Sequence, residues 1–254
     1  MRQETTYKPE VPAAPAGPAA LRRRAARARP RRDIAGALDA FGRRALDVIV
    51  SAVLLLLLTP VIVIAGIIIK LDSPGPILYR ARRVGYRGRE LRMLKFRKMS
   101  DGASGPLLTS GQDHRLTRVG VWLTRFKIDE IPQLWHVLKG DMSLVGPRPE
   151  DPEFVEMMRS DYEVILQVRP GITGFSQLAF AEESVILNPD DPLSHYVYRL
   201  LPQKLGMDKL YAREQTLWLN LRILFWTVAA VLLMRAVAVH RESGAMNLRR
   251  RRKR

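Results

Sequence analysis

The longest apolar run in the chain covers 22 residues, from Val48 to Ile69, and holds no charged side chain. As a straight helix rising 1.5 Å per residue it would be about 33 Å long, close to the thickness of a bilayer's hydrocarbon core. Pro60 interrupts the run, because proline removes a backbone donor and clashes with the preceding turn. The two arms, about 18 and 14 Å long, are each too short to cross a bilayer alone.

Basic residues flank this run on both sides. Nine arginines against two acids lie between Arg22 and Arg44, and nine basic residues against two acids lie between Lys70 and Arg97. Positive flanks favour the cytoplasmic side of a membrane, and a straight span would leave one cluster outside. A helix that bends at the proline and returns keeps both clusters inside. We therefore predict a proline-broken, re-entrant membrane hairpin over residues 43–71.

The expected bend has its own side-chain candidates. Thr59 stands directly before Pro60, and its hydroxyl is able to bond a backbone carbonyl that the proline leaves free. These two residues are the predicted structural determinants of the bend.

A second apolar stretch runs from Leu217 to Val239 and is interrupted by Arg222 and Arg235. Only 12 uncharged residues lie between the arginines, too few to span a bilayer. Two tryptophans in the stretch suit a membrane–water interface. These features predict an amphipathic interfacial membrane helix within residues 213–241, with a buried core helix as the alternative.

The remaining segments differ in pattern from the two apolar ones. Residues 72–212 are rich in proline and glycine punctuation, which predicts a small cytosolic catalytic domain of helices and short strands. Residues 1–42 are Ala-, Pro- and Arg-rich with no hydrophobic period, which predicts a disordered basic tail. Residues 242–254 form a basic C-terminal tail. The expected fold class is α/β and mainly helical.

The chain carries a formal net charge of +17 and no cysteine. The charge suits an anionic partner such as nucleic acid, a phosphorylated substrate or an acidic lipid surface. No stacking-aromatic platform accompanies the basic residues, so we expect no nucleic-acid partner and favour an anionic membrane surface. The missing cysteine excludes disulfides, thiolate catalysis and Cys-ligated zinc.

Two adjacent carboxylates, Asp129 and Glu130, precede Pro132 in the middle of this basic chain. Acids at a helix start are often present only because the helix dipole favours them. A carboxylate beside positive potential is also able to attack an activated phosphorus, as in aspartyl-phosphate intermediates. Adjacent helical residues point about 100° apart, so one acid would attack while the other holds a divalent ion. The pair is therefore both the candidate catalytic dyad and the candidate Mg²⁺ site.

Four basic residues are the candidate phosphate ligands around this pair. Arg148 is fixed between two prolines in a stiff loop, which suits bidentate contact with a diphosphate. Strand alternation would place two further cations on one face of "KFRKM". The set consists of Lys95, Arg97, Arg125 and Arg148.

From about Arg44 to the C-terminus the chain resembles the bacterial sugar transferase family, the monotopic phosphoglycosyl transferases. Besides the proline-broken hairpin, the matching blocks are "LDSPGPILYRARRVGYRGREL" with "KFRKM", "RLTRVGVWLTRFKIDEIPQLWHVLKGDMSLVGPRPE", "RPGITGFSQ" and "YAREQTLWLNLRILFWTVAAVLL". The blocks occur in the family's order and cover about four-fifths of the protein.

The resemblance implies a two-step reaction. Asp129 would form a covalent phosphosugar–aspartate intermediate and release UMP from a UDP-sugar, and Glu130 would assist with Mg²⁺ and phosphate. Polyprenyl (undecaprenyl) phosphate would then attack the phosphorus, at the cytoplasmic face of the bacterial inner membrane, to initiate exopolysaccharide or glycoconjugate synthesis. Many members carry a basic residue where this chain has Thr124, and Arg125 is the expected replacement.

Two other functions fit parts of the same pattern. A non-catalytic membrane scaffold that binds acidic lipids would use the basic tails and apolar helices alone. A one-step transferase would let the lipid phosphate attack the donor directly, with no covalent protein intermediate.

Overall fold

The computed structural model describes residues 34–249, except 104, 106, 107, 109–112, 182, 189, 190 and 234. Residues 1–33 of the predicted tail (residues 1–42) and the last five basic residues lie outside this part of the chain. Within it the fold is mainly helical with a few short strands, as predicted. The helices are α1 (Ile34–Asp72), α2 (Arg118–Arg125), α3 (Leu134–Lys139), α4 (Pro152–Met157), α5 (Arg159–Ile165), α6 (Phe175–Ala179), α7 (Glu183–Ile186), α8 (Pro192–His195), α9 (Leu201–Glu214) and α10 (Leu217–Leu233).

Shorter helical turns and six strands complete the architecture. Two 3₁₀ helices cover Tyr86–Gly88 and Ile128–Gln133, and a π-helix covers Tyr196–Leu200. The strands are β1 (Leu78–Val84), β2 (Glu90–Phe96), β3 (Ser143–Val145), β4 (Gly171–Thr173), β5 (Val237–Val239) and β6 (Met246–Leu248).

Helix α1 is long and apolar enough to cross a membrane by length and composition. It is helical from Ile34, inside the segment predicted as tail, and its helical assignment continues through Pro60. The Thr59 hydroxyl donates to the carbonyl oxygen of Leu55 at 2.8 Å. This carbonyl differs from the predicted target. Because Pro60 has no N–H, the carbonyl that it leaves free is the one four positions back, on Leu56. The re-entrant bend remains a prediction.

The six strands pair into three two-stranded sheets. Strands β1 and β2 are antiparallel from Leu78↔Phe96 to Val84↔Glu90, whereas β3 and β4 are parallel. The antiparallel pair β5–β6 occupies residues predicted as the end of the interfacial helix and the start of the C-terminal tail. Alternating Val237 and Val239 bury their side chains there, which favours a strand over a continued helix.

Helix α10 contributes to the main core along one part of its surface. Leu219 and Ile223 are buried, whereas Trp218 and Phe225 are exposed. The main core gathers apolar side chains from α3, β3, α6, α9 and α10 around Val137, Val145 and Phe175. The large apolar residues left exposed on α10 suit the predicted interfacial location, which remains a proposal.

A smaller core fixes α1 against the segments that carry the candidate site. Ala65 and Ile69 of α1 pack with Phe96 of β2 and Leu123 of α2. Gly120 permits the close approach of α2, because a Cβ there would lie 1.9 Å from the Lys98 carbonyl oxygen. The end of β2, the start of α2 and the end of α1 are thereby held together.

Candidate active site

The two predicted catalytic carboxylates lie on a 3₁₀ helix that precedes α3. Lys127 adopts a left-handed conformation (φ 57°) at its start and turns the chain away from α2. Pro132 lies within this 3₁₀ helix, and α3 begins at Leu134, so the carboxylates do not directly precede an α-helix. The positive potential around the carboxylates comes from neighbouring side chains.

Glu130 is held by two of the predicted phosphate ligands. Its Oε1 lies 2.5 Å from Arg148 Nη2 and 3.4 Å from Lys95 Nζ. Burial opposes ionisation of Glu130, but the charges of Arg148 and Lys95 outweigh it and hold its pKa far below the usual range. Burial, followed by the charge of Arg148, lowers the pKa of Lys95 to about 8.

Asp129 is 2% exposed and pairs with a lysine that the prediction had omitted. Lys98 Nζ lies 3.1 Å from Asp129 Oδ2. The other oxygen, Oδ1, is buried and has no hydrogen-bond partner in the described part of the chain. An unpaired buried acceptor costs about 1–3 kcal/mol, so such an atom is expected where a ligand or a reacting group completes its contacts.

The oxygen atoms of this pair are of the chemical type that a hard divalent cation binds, although Glu130 Oε1 already contacts Arg148 and Lys95. Asp129 Oδ1 is an unpaired oxygen donor, and Glu130 lies next to it in the chain. No group of three or more potential metal-ligating side chains occurs among the residues the structure describes. Mg²⁺ binds through one or two carboxylates when substrate phosphates and water complete its shell, which matches this donor set.

Arg97 does not contact the carboxylates. The residue is 5% exposed, and its guanidinium donates to the carbonyl oxygens of Ile69 (3.3 Å), Ser73 (2.7 Å) and Pro74. The alternation argument fails because β2 ends at Phe96. Arg97 instead donates to backbone carbonyls at and beyond the C-terminal end of α1, where helical donors run out. The Ile69 carbonyl also accepts from the Ser73 N–H at 3.4 Å.

Arg125 is also directed elsewhere. It is the last residue of α2, and its guanidinium lies about 6.0 and 5.9 Å from the ring centres of Trp122 and Phe126. Because the helix ends there, the four-residue spacing to Asp129 does not place the two side chains on one helical face. Thr124 donates to the Gly120 carbonyl at 2.9 Å, a local helical contact.

Lys98 is absent from the predicted phosphate ligands, which include Lys95 and Arg97 of the same "KFRKM" segment. Lys98 follows the end of β2 by two residues. Beyond a strand end, the direction of a side chain no longer alternates from one residue to the next, so Lys98 was also a candidate. Lys95, Lys98 and Arg148 retain 14%, 22% and 31% side-chain exposure. They form the cationic side from which a phosphate would approach.

A buried polar network supports the loop that carries Arg148. Glu150 Oε2 accepts from the Tyr196 hydroxyl at 2.6 Å, and Lys204 Nζ contacts that hydroxyl at 2.9 Å and Glu183 Oε2 at 2.9 Å. Burial opposes ionisation of Glu150, but Lys204 and Tyr196 keep its pKa below the usual value. No local sequence pattern indicates this network, since its contacting members lie 8 to 54 positions apart.

Residues 38–234 match the family model described as bacterial sugar transferase. The match covers more than half of the chain. The chain therefore belongs to the bacterial sugar transferase family, and the predicted resemblance is confirmed.

Three curated relatives show the range of this similarity. The chain is 36% identical over 199 residues to an undecaprenyl-phosphate glucose phosphotransferase of Komagataeibacter xylinus, covering 75% of this chain and 36% of that protein. It is 35% identical over 198 residues to a UDP-N-acetylgalactosamine-undecaprenyl-phosphate N-acetylgalactosaminephosphotransferase of Aeromonas hydrophila, covering 76% and 44%. It is 33% identical over 204 residues to the exopolysaccharide production protein PSS of Rhizobium leguminosarum bv. phaseoli, covering 77% and 97%. The chain thus spans less than half the length of the first two relatives.

Proposed function

We propose that this protein is a phosphoglycosyl transferase that moves a sugar-1-phosphate from a UDP-sugar to polyprenyl (undecaprenyl) phosphate. The observation that carries the proposal is Asp129, which has one oxygen on Lys98 and the other buried and unpaired, beside a Glu130 held by Lys95 and Arg148. The names of the Komagataeibacter and Aeromonas relatives include undecaprenyl phosphate and two different sugars. They support the reaction class and leave the sugar open.

In the first step Asp129 Oδ1 attacks the phosphorus that bears the sugar. A bond forms between that oxygen and the phosphorus, and the bond from the phosphorus to the bridging diphosphate oxygen breaks. UMP leaves with the bridging oxygen and its electron pair. Lys98 and Arg148 offset the negative charge of the phosphates, which otherwise repel the attacking carboxylate.

In the second step a phosphate oxygen of the polyprenyl phosphate attacks the same phosphorus. The bond from the phosphorus to Asp129 breaks and restores the free carboxylate. The product is a polyprenyl diphosphate sugar. The bond between Asp129 and the phosphorus therefore exists only between the two displacements. Covalent catalysis of this kind replaces one difficult step by two easier ones.

The carboxylate pair is the proposed Mg²⁺ site. Glu130 would hold the ion together with substrate phosphate oxygens and water, and Asp129 would contact the ion until its Oδ1 attacks the phosphorus. Bound there, Mg²⁺ would offset charge on the diphosphate and the departing UMP. Arg97 and Arg125 are not assigned to this site.

The membrane location follows from the same reaction, because the acceptor has its phosphate at the headgroup level. A re-entrant α1 and an interfacial α10 would hold Asp129 at that level on the cytoplasmic face of the bacterial inner membrane. Each lysine or arginine in the basic flanks would add about 1 kcal/mol to the free energy of membrane binding when it lies near an anionic leaflet. The Rhizobium relative's name supports a role at the start of exopolysaccharide synthesis.

The experiment supplies purified protein in membranes with Mg²⁺, polyprenyl phosphate and a panel of UDP-sugars, and measures UMP release. We expect release with at least one UDP-sugar and its loss in Asp129→Asn. A membrane scaffold would keep its function in that variant. A one-step transferase would release UMP only when acceptor is present and would never carry label from a sugar-labelled donor.

A further inference from the structure

An apolar groove of about 770 Å³ runs along the second half of α1. Its other walls are the β1–β2 hairpin and the start of α3. Representative lining residues are Val63, Gly66, Ile67, Leu78, Leu94 and Trp135. A groove of this size accommodates a drug-sized apolar group, so it would hold only part of a long lipid chain.

The groove shares two of its walls with the candidate active site. Leu94 lines the groove, and the next residue, Lys95, pairs with Glu130. Alternation along β2 directs these neighbours to opposite faces of the strand. Pro132 lines the groove from the same 3₁₀ helix that carries both carboxylates. The apolar surface and the reacting groups are therefore built on the same short segments.

The charge at the groove matches an amphipathic anionic ligand. The lining extends along α1 from Leu55, past Pro60, to Leu71, near the polar end of the helix. Lys70 is the cation among the lining residues and lies at this polar end. A ligand with a long apolar chain and a phosphate at one end would place its chain along the helix and its anion toward the lysine.

We propose that this groove holds the prenyl chain of the acceptor phosphate, and that it selects the acceptor by its chain. The proposal rests on the function proposed above. A concave apolar surface in a membrane is filled by some chain, and the shared walls with the carboxylate site favour the reacting lipid over a bystander. Ordinary bilayer chains and a second copy of the protein are the competing occupants.

The test fills the groove from its rim without altering the carboxylate site. Val63 and Ile67 are 53% and 55% exposed and lie one turn apart, so Val63→Trp and Ile67→Trp place a ring in the groove without overpacking a core. Leu57→Trp is the matched control, because Leu57 is on the same helix, 67% exposed and not among the groove-lining residues.

Both half-reactions are measured for each variant in liposomes of one fixed composition. We expect kcat/KM for long-chain polyprenyl phosphate to fall by about tenfold or more in the groove variants, with the control unchanged. The first half-reaction, UMP release from the UDP-sugar without acceptor, should be unchanged in all three. A short-chain prenyl phosphate, which depends less on the groove, should lose less activity than the long-chain acceptor.

The outcomes separate the groove proposal from the proposed function. Absence of UMP release and of transfer in the unsubstituted protein would overturn the function itself. Normal UMP release with equal acceptor kcat/KM in groove and control variants would overturn the groove proposal alone and assign the groove to bilayer chains. A concentration-dependent loss of dimer in the groove variants, with normal acceptor kinetics, would assign it to a second copy and overturn the proposal equally.

Discussion

Lys98 Nζ lies 3.1 Å from Asp129 Oδ2, which leaves Oδ1 as the unpaired oxygen of the carboxylate. The lysine orients the carboxylate and brings positive charge next to the proposed nucleophile. This positive charge offsets the electrostatic repulsion between the carboxylate and an incoming diphosphate.

We expect Lys98→Met to lower the rate of UMP release by about a hundredfold or more, the usual effect of removing one charge-stabilising donor. Lys98→Arg should retain part of the activity because it keeps the charge. Lys139→Met is the control, since Lys139 is exposed and pairs only with Asp141 among the ion pairs of the described residues. Equal rates for Lys98→Met and the control would show that the lysine has no part in the reaction.

Arg97 and Arg148 should separate into a structural and a functional arginine. We expect Arg97→Met to lower the free energy of unfolding by about 2 kcal/mol or more, because three backbone carbonyls lose a charged donor. Arg148→Lys should leave stability close to that of the unsubstituted protein and reduce UMP release, because lysine lacks the bidentate geometry.

Thermal unfolding in detergent, followed by UMP assays, checks both arginines. A shift of about 4–8 °C in the unfolding midpoint is expected for Arg97→Met. If Arg97→Met unfolds like the unsubstituted protein and loses UMP release, the original assignment of Arg97 to phosphate binding is restored.

The buried network behind Arg148 should make Lys204 important for stability. Lys204 is buried and contacts Glu183 and Tyr196, with Glu150 at 3.9 Å. Removing one partner of a buried ionic network leaves its carboxylates unpaired, which costs about 3–5 kcal/mol. We expect Lys204→Met to reduce the free energy of unfolding by this amount in chemical denaturation.

The matched control is Lys209→Met. Lys209 lies on the same helix as Lys204, α9, and its ion pair with Asp161 of α5 is partly exposed. Surface pairs contribute about 0.2–1 kcal/mol. Similar losses in both variants would show that the Lys204 network has no special weight.

Asp208 predicts a pH dependence of stability. Burial raises its pKa to about 7 from 3.8, against a hydrogen bond from Ser176 that lowers it. Between these two values the folded protein binds more protons at this site than the unfolded chain, so the contribution of Asp208 to stability falls as pH rises from about 4 to about 7.

Asp208→Asn should remove that contribution, so the variant should gain stability relative to the unsubstituted protein as pH rises through this window. The measurement is the difference in unfolding free energy at several pH values, with Asp161→Asn as a control on a partly exposed carboxylate. A difference that does not change with pH would contradict the assignment of a raised pKa to Asp208.

Much of the fold was predictable because its strongest signals are local. The apolar run predicted a helical membrane segment near the N-terminus, and the proline and glycine pattern predicted short strands. The apolar helix and the short strands are confirmed, whereas the proline-broken, re-entrant bend stays a prediction. Residues 34–42 belong to the predicted tail, which rests on an Ala-, Pro- and Arg-rich composition, yet they form the start of α1. The β5–β6 hairpin was missed because its strands are only three residues each.

The candidate site was predictable where chain geometry fixes direction. Asp129 and Glu130 are adjacent, the prolines around Arg148 limit the conformations of its loop, and Lys95 lies within β2. The structure confirms that Arg148 and Lys95 both contact Glu130. The prediction for Arg97 assumes that the strand continues beyond Phe96, and the prediction for Arg125 rests only on its place next to Thr124 and four residues before Asp129. Tyr196 and Lys204 support the site from distant positions, and only tertiary packing reveals their contact with Glu150.

The central claim is a covalent bond between Asp129 and a sugar phosphate, and peptide mass spectrometry tests it most directly. The protein is incubated with Mg²⁺ and a turnover-competent UDP-sugar in membranes free of acceptor, then quenched and digested. We predict that the peptide containing Asp129 gains the mass of one phosphosugar, and that adding polyprenyl phosphate removes it. An unmodified Asp129 in protein that turns over rapidly once acceptor is supplied would contradict the claim.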